Sequence, residues 1–134
     1  NIDEYIEEAQ SARVELPSGG WVIFETTQAM TTIDVNSANH DAPARAVNLE
    51  AAQIIARQIR LRGLGGLIAI DFIDMTESLD GEAVLQALDE GFTGDKQPVR
   101  IGPISEFSVV EMTRRRGGMT LAQSLQQIRP AMDE

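Results

Sequence analysis

Residues 67–73 read LIAIDFI, an almost wholly apolar run that contains one carboxylate, Asp71. The run has the length and composition of a central β-strand that is covered on both faces. It follows Gly63 and Gly65-Gly66, which end a stretch over 48–62 in which apolar residues recur at helical spacing. We therefore predict a helix, a short turn and a buried strand.

A second strand precedes this helix. Residues 30–36 (MTTIDVN) are rich in the β-branched side chains that favour strands, and the polar segment 37–46 is predicted to be a loop that leads to Asn48 as the helix N-cap. A strand–helix–strand unit of this kind joins parallel strands. The carboxyl ends of the two strands are thus expected at one edge of the sheet, where open α/β sheets bind ligands.

The remaining patterns complete a mixed α/β domain. In chain order they predict a helix over 2–10, strands over 12–16 and 21–26 around the turn 17–20, a helix over 79–91, strands over 99–102 and 106–113, and a helix over 120–128. The fold class is a mixed β-sheet flanked by helices, in the order β-β-β-α-β-α-β-β-α, with the first three strands as an antiparallel meander. We predict a single domain over 1–134, with 1–11 and 117–134 peripheral.

Composition narrows the class of protein. With 134 residues, 43% of them hydrophobic, the chain can form one globular core. No apolar run approaches the ~20 residues of a membrane span, and no leader pattern opens the chain, which begins at Asn1 as a processed or excised fragment would. The absence of Cys excludes disulfides, thiolate zinc sites and cysteine nucleophiles, and it fits a cytoplasmic protein.

Charge argues against strong nucleic-acid binding by this chain alone. It has 11 Lys+Arg against 21 Asp+Glu, a net charge of -10, whereas affinity for nucleic acid depends on basic residues that contact phosphates. RNA binding would require charge to be segregated on the surface, or a gripping surface on parts of a longer protein.

Two carboxylates and one carboxamide carry the chemistry. Asp34 and Asn36 are two residues apart on a strand and share a face, while an ionised Asp71 inside an apolar strand would cost several kcal/mol without a partner. If the strands are neighbours, these side chains converge into a hard-oxygen site suited to Mg²⁺, with Mn²⁺ as a substitute. Such a site can activate water for attack on a phosphodiester. The structural alternative, an Asp that caps a turn or pairs with Arg, is commoner and stays open on spacing alone.

Four segments together resemble one family. They are LPSGG (16–20), TTIDVNSA (31–38), NLEAAQIIARQIRLRGLGGLIAIDFIDM (48–75) and ISEFSVVEMTRRR (104–116). The chain resembles the DNase I-like catalytic subdomain of the ribonuclease E/G family. The resemblance implies that Asp34 and Asp71 are Mg²⁺ ligands and that Asn36 orients the attacking water or the phosphate. It also implies an endoribonuclease of RNA processing and decay that cleaves single-stranded RNA and leaves a 5′-phosphate and a 3′-hydroxyl.

The resemblance also sets expectations for partners. Family members grip RNA largely through parts absent from this chain, and the full-length form is expected to be a homo-oligomer without membrane contact. Their Cys-containing zinc link has no counterpart here, and the basic patch reads as the weaker GDKQPVR (94–100). The isolated fragment can therefore be inactive. The alternatives are a catalytically inactive RNA-binding member and a protein-docking or dimerisation module.

Several further residues are candidates for contact with RNA or metal. Arg114, Arg115 and Arg116 could hold phosphates or form a solvated strand end, and their alternation predicts that one points away from the other two. Arg45 lies nearer the carboxylates and is a candidate for phosphate contact.

Acidic and aromatic residues near the site have alternative roles. Glu111 is a candidate for the second shell around Asp71, and Asp74 for a turn or cap, with a second-shell or second-metal role as the alternative. The lone His40 is expected to be exposed rather than a proton shuttle. The aromatic side chains are predicted to lie in the core rather than to stack on bases: Trp21, Phe24, Phe72, Phe92 and Phe107.

Overall fold

A computed structural model describes residues 11–116, so the helices predicted over 2–10 and 120–128 lie outside the described residues. The described part confirms the mixed α/β prediction. Its elements in chain order are β1 (Arg13–Glu15), β2 (Trp21–Thr26), β3 (Thr31–Asn36), α1 (Ala44–Arg62), β4 (Gly66–Asp71), α2 (Ser78–Glu90), β5 (Val99–Ile104) and β6 (Val109–Arg114).

The six strands form one sheet in the order β1-β2-β3-β4-β6-β5. β1, β2 and β3 form the predicted antiparallel meander, and β6 pairs antiparallel with both β4 and β5. β3 and β4 pair in parallel across the α1 crossover, in a register that places Thr31 beside Ile68 and Asp34 beside Asp71. The parallel crossover is therefore confirmed.

One face of the sheet carries the hydrophobic core. Ile33 and Val35 of β3 are 1% and 5% exposed, and Ile68 and Ile70 of β4 are fully buried. The buried residues of both helices belong to the same core cluster, so α1 and α2 lie against this face. Burial alternates along β3 and β4 because successive side chains of a strand point to opposite faces.

The other sheet face is open among the described residues, and this corrects the prediction for β4. Leu67 is 40% exposed and Asp71 is also exposed, so β4 is not covered on both faces. Both helices lie on one side of the sheet, so the side chains of LIAIDFI that point to the other side are not covered by them. Within residues 11–116, neither helix is long and apolar enough to cross a membrane.

α1 begins earlier than predicted. Pro43 is its N-cap residue with extended φ and ψ of −61° and 124°, and Ala44 opens the helix, so the loop is 37–43 rather than 37–46. Asn48 is therefore not a cap but a fully buried residue inside the helix. At the other end Gly63 adopts a left-handed φ of 66°, a conformation that favours glycine and ends the helix as predicted.

A buried ion pair joins the α2–β5 connection to β6. The side chains of Arg114 and Asp95 are 8% and 6% exposed, and the guanidinium donates to both Asp95 oxygens at 2.9 and 3.0 Å. A third hydrogen bond of 2.9 Å reaches the carbonyl of Leu64. The hydrogen bonds from Arg114 hold the pKa of Asp95 below its usual value.

Asp95→Asn should lower the free energy of unfolding by about 1–3 kcal/mol near pH 7, because it leaves a buried guanidinium without its counter-charge. The folded-state pKa of Asp95 is lowered. The contribution of the pair is therefore present above the unfolded pKa of about 3.9 and lost as the pH falls below it.

Urea unfolding at about pH 7 and about pH 3 measures this difference, which should shrink at the lower pH. The matched control is Asp89→Asn, whose carboxylate is exposed on α2. Equal destabilisation by the two substitutions would contradict the assignment.

Candidate functional site

Two carboxylates meet at the carboxyl ends of the parallel strands. Asp34 of β3 and Asp71, the last residue of β4, are direct register partners, and neighbouring strands lie about 4.8 Å apart. Both residues are exposed on the open face. The predicted convergence is confirmed. The prediction that Asp71 is buried inside its strand is wrong, because β4 ends at this residue and its face is uncovered.

The electrostatics of the pair are unfavourable for two carboxylates without a cation. Partial burial, followed by the negative charge of Asp34, raises the pKa of Asp71 above its usual value. Within residues 11–116, neither carboxylate forms an ion pair or a side-chain hydrogen bond that would offset this repulsion. Within the part of the chain that the structure describes, the structural alternative of a turn cap or an arginine partner is therefore not observed for either residue.

Asn36 lies two residues beyond Asp34 on the same face, at the end of β3. Its Nδ2 is 3.4 Å from the Asp34 carbonyl oxygen, a long contact at the limit of a hydrogen bond. The backbone beside it is crowded, since a Cβ on Gly20 would come within 2.4 Å of the Asn36 carbonyl oxygen. Gly20 thus permits the close approach that positions the end of β3.

The turn before β2 is held against α1. Ser18 donates to Glu50 Oε1 from its backbone nitrogen at 3.1 Å and from its hydroxyl at 2.7 Å. The Leu16 amide donates to the Gly20 carbonyl at 2.8 Å, which closes the turn. The turn predicted from LPSGG is therefore confirmed, and its last residue, Gly20, lies against the backbone of Asn36.

Asn48 clamps the chain that follows Asp71. Its Nδ2 donates to the Ile73 carbonyl at 2.8 Å, and its Oδ1 accepts from the Ile73 amide at 3.0 Å. Both backbone groups of an irregular segment are thereby paired with one fully buried side chain. Sequence reasoning missed this role because it assigned Asn48 to the helix end. A buried polar residue between apolar helix positions was the available signal.

Ser108 holds the same segment from the other side. Its carbonyl accepts from the Phe72 amide at 3.0 Å and its Oγ accepts from the Met75 amide at 2.9 Å. Ser108 has a φ of 62°, unusual for a residue with a side chain. Asp74 accepts a 3.5 Å contact from Ser108 Oγ, which agrees with its predicted turn role. Its second-shell role stays a prediction.

The arginine cluster lies at the opposite end of the sheet. Arg114 pairs with Gly66, the first residue of β4, whereas Val109 pairs with Asp71. Five residues of strand separate the two positions, about 16 Å. The expected RNA contact is wrong for Arg114, whose guanidinium is buried and bonded to Asp95. Arg115 and Arg116 are exposed but lie far from the carboxylates, and their phosphate contact stays a prediction.

The other candidates are placed as follows. Arg45 lies in the first turn of α1 with its side chain 54% exposed, and its Nε is 3.4 Å from Asp80 Oδ1 of α2. A phosphate bound by Arg45 would therefore compete with Asp80 for the guanidinium. Glu111 is exposed on the open face as the register partner of Ala69, one diagonal position from Asp71, and its second-shell role stays a prediction. His40 is exposed in the 37–43 loop.

The aromatic residues divide into two groups. Phe24, Phe72 and Phe92 belong to the core at 3–7% exposure, and Trp21 is partly buried with the Arg13 guanidinium 4.3 Å from its ring centroid. Phe107 is 73% exposed. The prediction that it lies in the core is wrong, because it falls in the turn before β6 rather than within a strand.

The segments that form this edge of the sheet lie within a stretch of sequence that matches a known protein family. Residues 1–117 match the profile of the Ribonuclease E/G family. The chain belongs to the ribonuclease E/G family. Asp34, Asn36 and Asp71 all lie within the matched range.

Individual relatives agree with the family profile. The ribonuclease E of Escherichia coli (strain K12) is 44% identical over 135 residues, which covers 96% of this chain but 13% of that protein. The ribonuclease E of Nostoc sp. is 43% identical over 90% of the chain and 18% of its own length. The ribonuclease G of Escherichia coli (strain K12) is 41% identical over 87% of the chain and 25% of its own length. The chain thus spans a quarter or less of these ribonucleases.

Removal of either site carboxylate should stabilise the fold in the absence of divalent cations. Like charges that face each other across a strand pair are unfavourable by about 0.2–1 kcal/mol, so Asp34→Asn and Asp71→Asn should raise the Tm in EDTA near pH 7. A raised folded-state pKa means that ionisation of Asp71 lowers stability as the pH rises. The gain should therefore shrink near pH 3, because the raised pKa of Asp71 leaves its carboxyl group largely protonated there. A lower Tm for both variants near pH 7 would disprove the repulsion.

Asn48→Ala should destabilise the chain by about 1–3 kcal/mol, because it leaves the amide and carbonyl of Ile73 unpaired. Hydrogen exchange should show faster exchange of the Ile73 amide than in the parent protein. Asn39→Ala, at an exposed loop residue, is the control. Unchanged protection of Ile73 in Asn48→Ala would rule out the clamp.

Proposed function

We propose that this chain is the metal-binding catalytic portion of a cytoplasmic endoribonuclease of RNA processing and decay. It would cleave single-stranded RNA by hydrolysis and leave a 5′-phosphate and a 3′-hydroxyl. The main support is the register of Asp34 beside Asp71 at the open sheet edge, in a chain of the ribonuclease E/G family.

The chemistry of the donor set fits Mg²⁺, with Mn²⁺ as a substitute. Mg²⁺ binds oxygen ligands and is usually held by one or two carboxylates while it keeps several waters. The described residues offer no group of three or more His, Cys, Asp or Glu that could hold a metal, but the two exposed carboxylates match the smaller set. A cation between them would also relieve the repulsion that raises the pKa of Asp71.

The proposed mechanism assigns one task to each side chain. Asp34 and Asp71 would hold the metal ion from the ends of two paired strands, whose register sets their separation. Bound Mg²⁺ would supply positive charge to the phosphoryl oxygens and increase the acidity of water. Asn36, on the same face, would orient the attacking water or the scissile phosphate through its carboxamide.

The acidic character of the chain fits a longer protein in which this portion carries the catalytic residues and other portions bind most of the RNA. At a net charge of -10, this portion has few cations with which to attract RNA. Arg45 is the candidate phosphate contact nearest to the carboxylates. We infer that most of the RNA contacts come from parts of the protein outside this chain and that the full-length form is a homo-oligomer.

The test is cleavage by the full-length protein. Asp34→Asn and Asp71→Asn should each reduce cleavage of a single-stranded oligoribonucleotide by more than about 100-fold, because each removes a metal ligand, a larger loss than that of an outer-shell partner. Asn36→Ala should reduce it by about 100-fold through misplacement of the reacting groups. The reduction should be in kcat, with circular dichroism unchanged.

Asp89→Asn serves as the matched control, an exposed carboxylate on α2 whose loss should leave cleavage intact. Cleavage by the parent protein should also require added Mg²⁺ or Mn²⁺. Parent-like cleavage by both site variants would reject the mechanism. Absence of cleavage by the parent protein itself would instead favour the alternative of an inactive RNA-binding, protein-docking or dimerisation module.

A further inference from the structure

Phe107 is the most exposed aromatic side chain among the described residues. Its exposure is 73%, against 3–7% for Phe24, Phe72 and Phe92. A phenyl ring that is left in water loses the favourable burial available to the other three. Its position therefore requires an explanation other than packing.

The turn that carries Phe107 is rigid rather than loose. Ser105 Oγ accepts from the amides of Phe107 and Val109 at 3.3 and 3.1 Å. The backbone closes the same turn through Ser105 N to Val109 O at 2.9 Å and Ser108 N to Ser105 O at 3.0 Å. The backbone that carries the ring therefore loses little freedom when the ring binds a ligand.

This turn lies at the same sheet edge as the two carboxylates. Val109 is the register partner of Asp71, and the Ser108 carbonyl accepts from the amide of Phe72, the residue that follows Asp71. Phe107 is thus two residues from the strand position directly beside Asp71. At about 3.3 Å per residue, this spacing is shorter than the length of a few nucleotides bound at the carboxylates.

The negative charge of the turn indicates which part of a nucleotide, phosphate or base, it can bind. Residues 105–109 read SEFSV, with one carboxylate and no cation, so the turn cannot attract a phosphate. Aromatic side chains instead bind bases by stacking, which tolerates any base because each has a π face. Stacking also requires an unpaired base.

We propose that Phe107 is a positioning residue that stacks on a base next to the scissile phosphate and thereby favours single-stranded RNA. The inference rests on the proposed function of the Asp34–Asp71 site. It differs from that function in that Phe107 takes no part in metal binding or proton transfer. Its loss should weaken RNA binding while a bound substrate still reaches the carboxylates.

Binding can be tested apart from cleavage. In full-length protein with the Asp71→Asn substitution, Phe107→Ala should weaken binding of a fluorescent single-stranded oligoribonucleotide by about 5- to 100-fold, the usual effect of removing one stacking partner. Phe107→Trp should bind as tightly as Phe, whereas Phe107→Leu should not. Leu79→Ala, at an equally exposed residue of α2 (75% exposed), should leave affinity unchanged.

A scan of the substrate identifies the base. Oligonucleotides with one abasic site at successive positions should lose the effect of Phe107→Ala at a single position beside the cleavage site. Unchanged RNA affinity of Phe107→Ala overturns the inference. RNA binding by Phe107→Leu that equals that of the parent also overturns it, because a leucine can keep an apolar contact but cannot stack on a base. Failure of the metal site is a separate result, seen as cleavage by Asp71→Asn in the Phe107 parent.

Discussion

The parallel pairing of β3 with β4 is the constraint on which the rest of the site depends. A parallel pair needs a crossover, here provided by α1, and it places two strand ends at one edge of the sheet. In this register two like charges face each other. The arrangement is unfavourable for folding, and the two carboxylates lack any cationic partner among the described residues. Such strain at an exposed edge is typical of a site organised for a ligand.

The sequence predicted the parts of this arrangement that follow from local patterns. Strand and helix periodicity identified the crossover and the convergence of Asp34 with Asp71, because the carboxyl ends of parallel strands must meet. It misjudged how deeply Asp71 is buried. An apolar run such as LIAIDFI has the same composition whether one face or two are covered, and only the positions of both helices decide between these cases. Partial burial at the strand end, followed by the negative charge of Asp34, is enough to raise the pKa of Asp71 without full burial of its carboxylate.

Longer-range polar contacts were beyond sequence reasoning for a different physical reason. Asn48 bonds to Ile73, 25 residues away, and Arg114 bonds to Asp95, 19 residues away. Neither partner can be identified from the spacing of residues in the sequence, because both contacts depend on how the helices and loops pack against the sheet. Asn48 resembled a helix cap, and Arg114 resembled one member of a basic cluster. Strand alternation would set Arg115 apart from the other two arginines, but β6 ends at Arg114, and it is Arg114 that is buried in an ion pair while Arg115 and Arg116 are exposed.

The edge of the sheet shows how irregular backbone can hold a precise site. After Asp71 the chain leaves the strand, and its amides and carbonyl need partners other than a neighbouring strand. Asn48 supplies two of these from α1, and Ser108 supplies two more from the turn before β6. The backbone that follows Asp71 is thus held by a helix on one side and a turn on the other. The same turn presents Phe107 to solvent, so the backbone beneath its ring and the backbone next to Asp71 belong to one hydrogen-bonded frame. This is the geometric reason why a base and its phosphate could be positioned together at this edge.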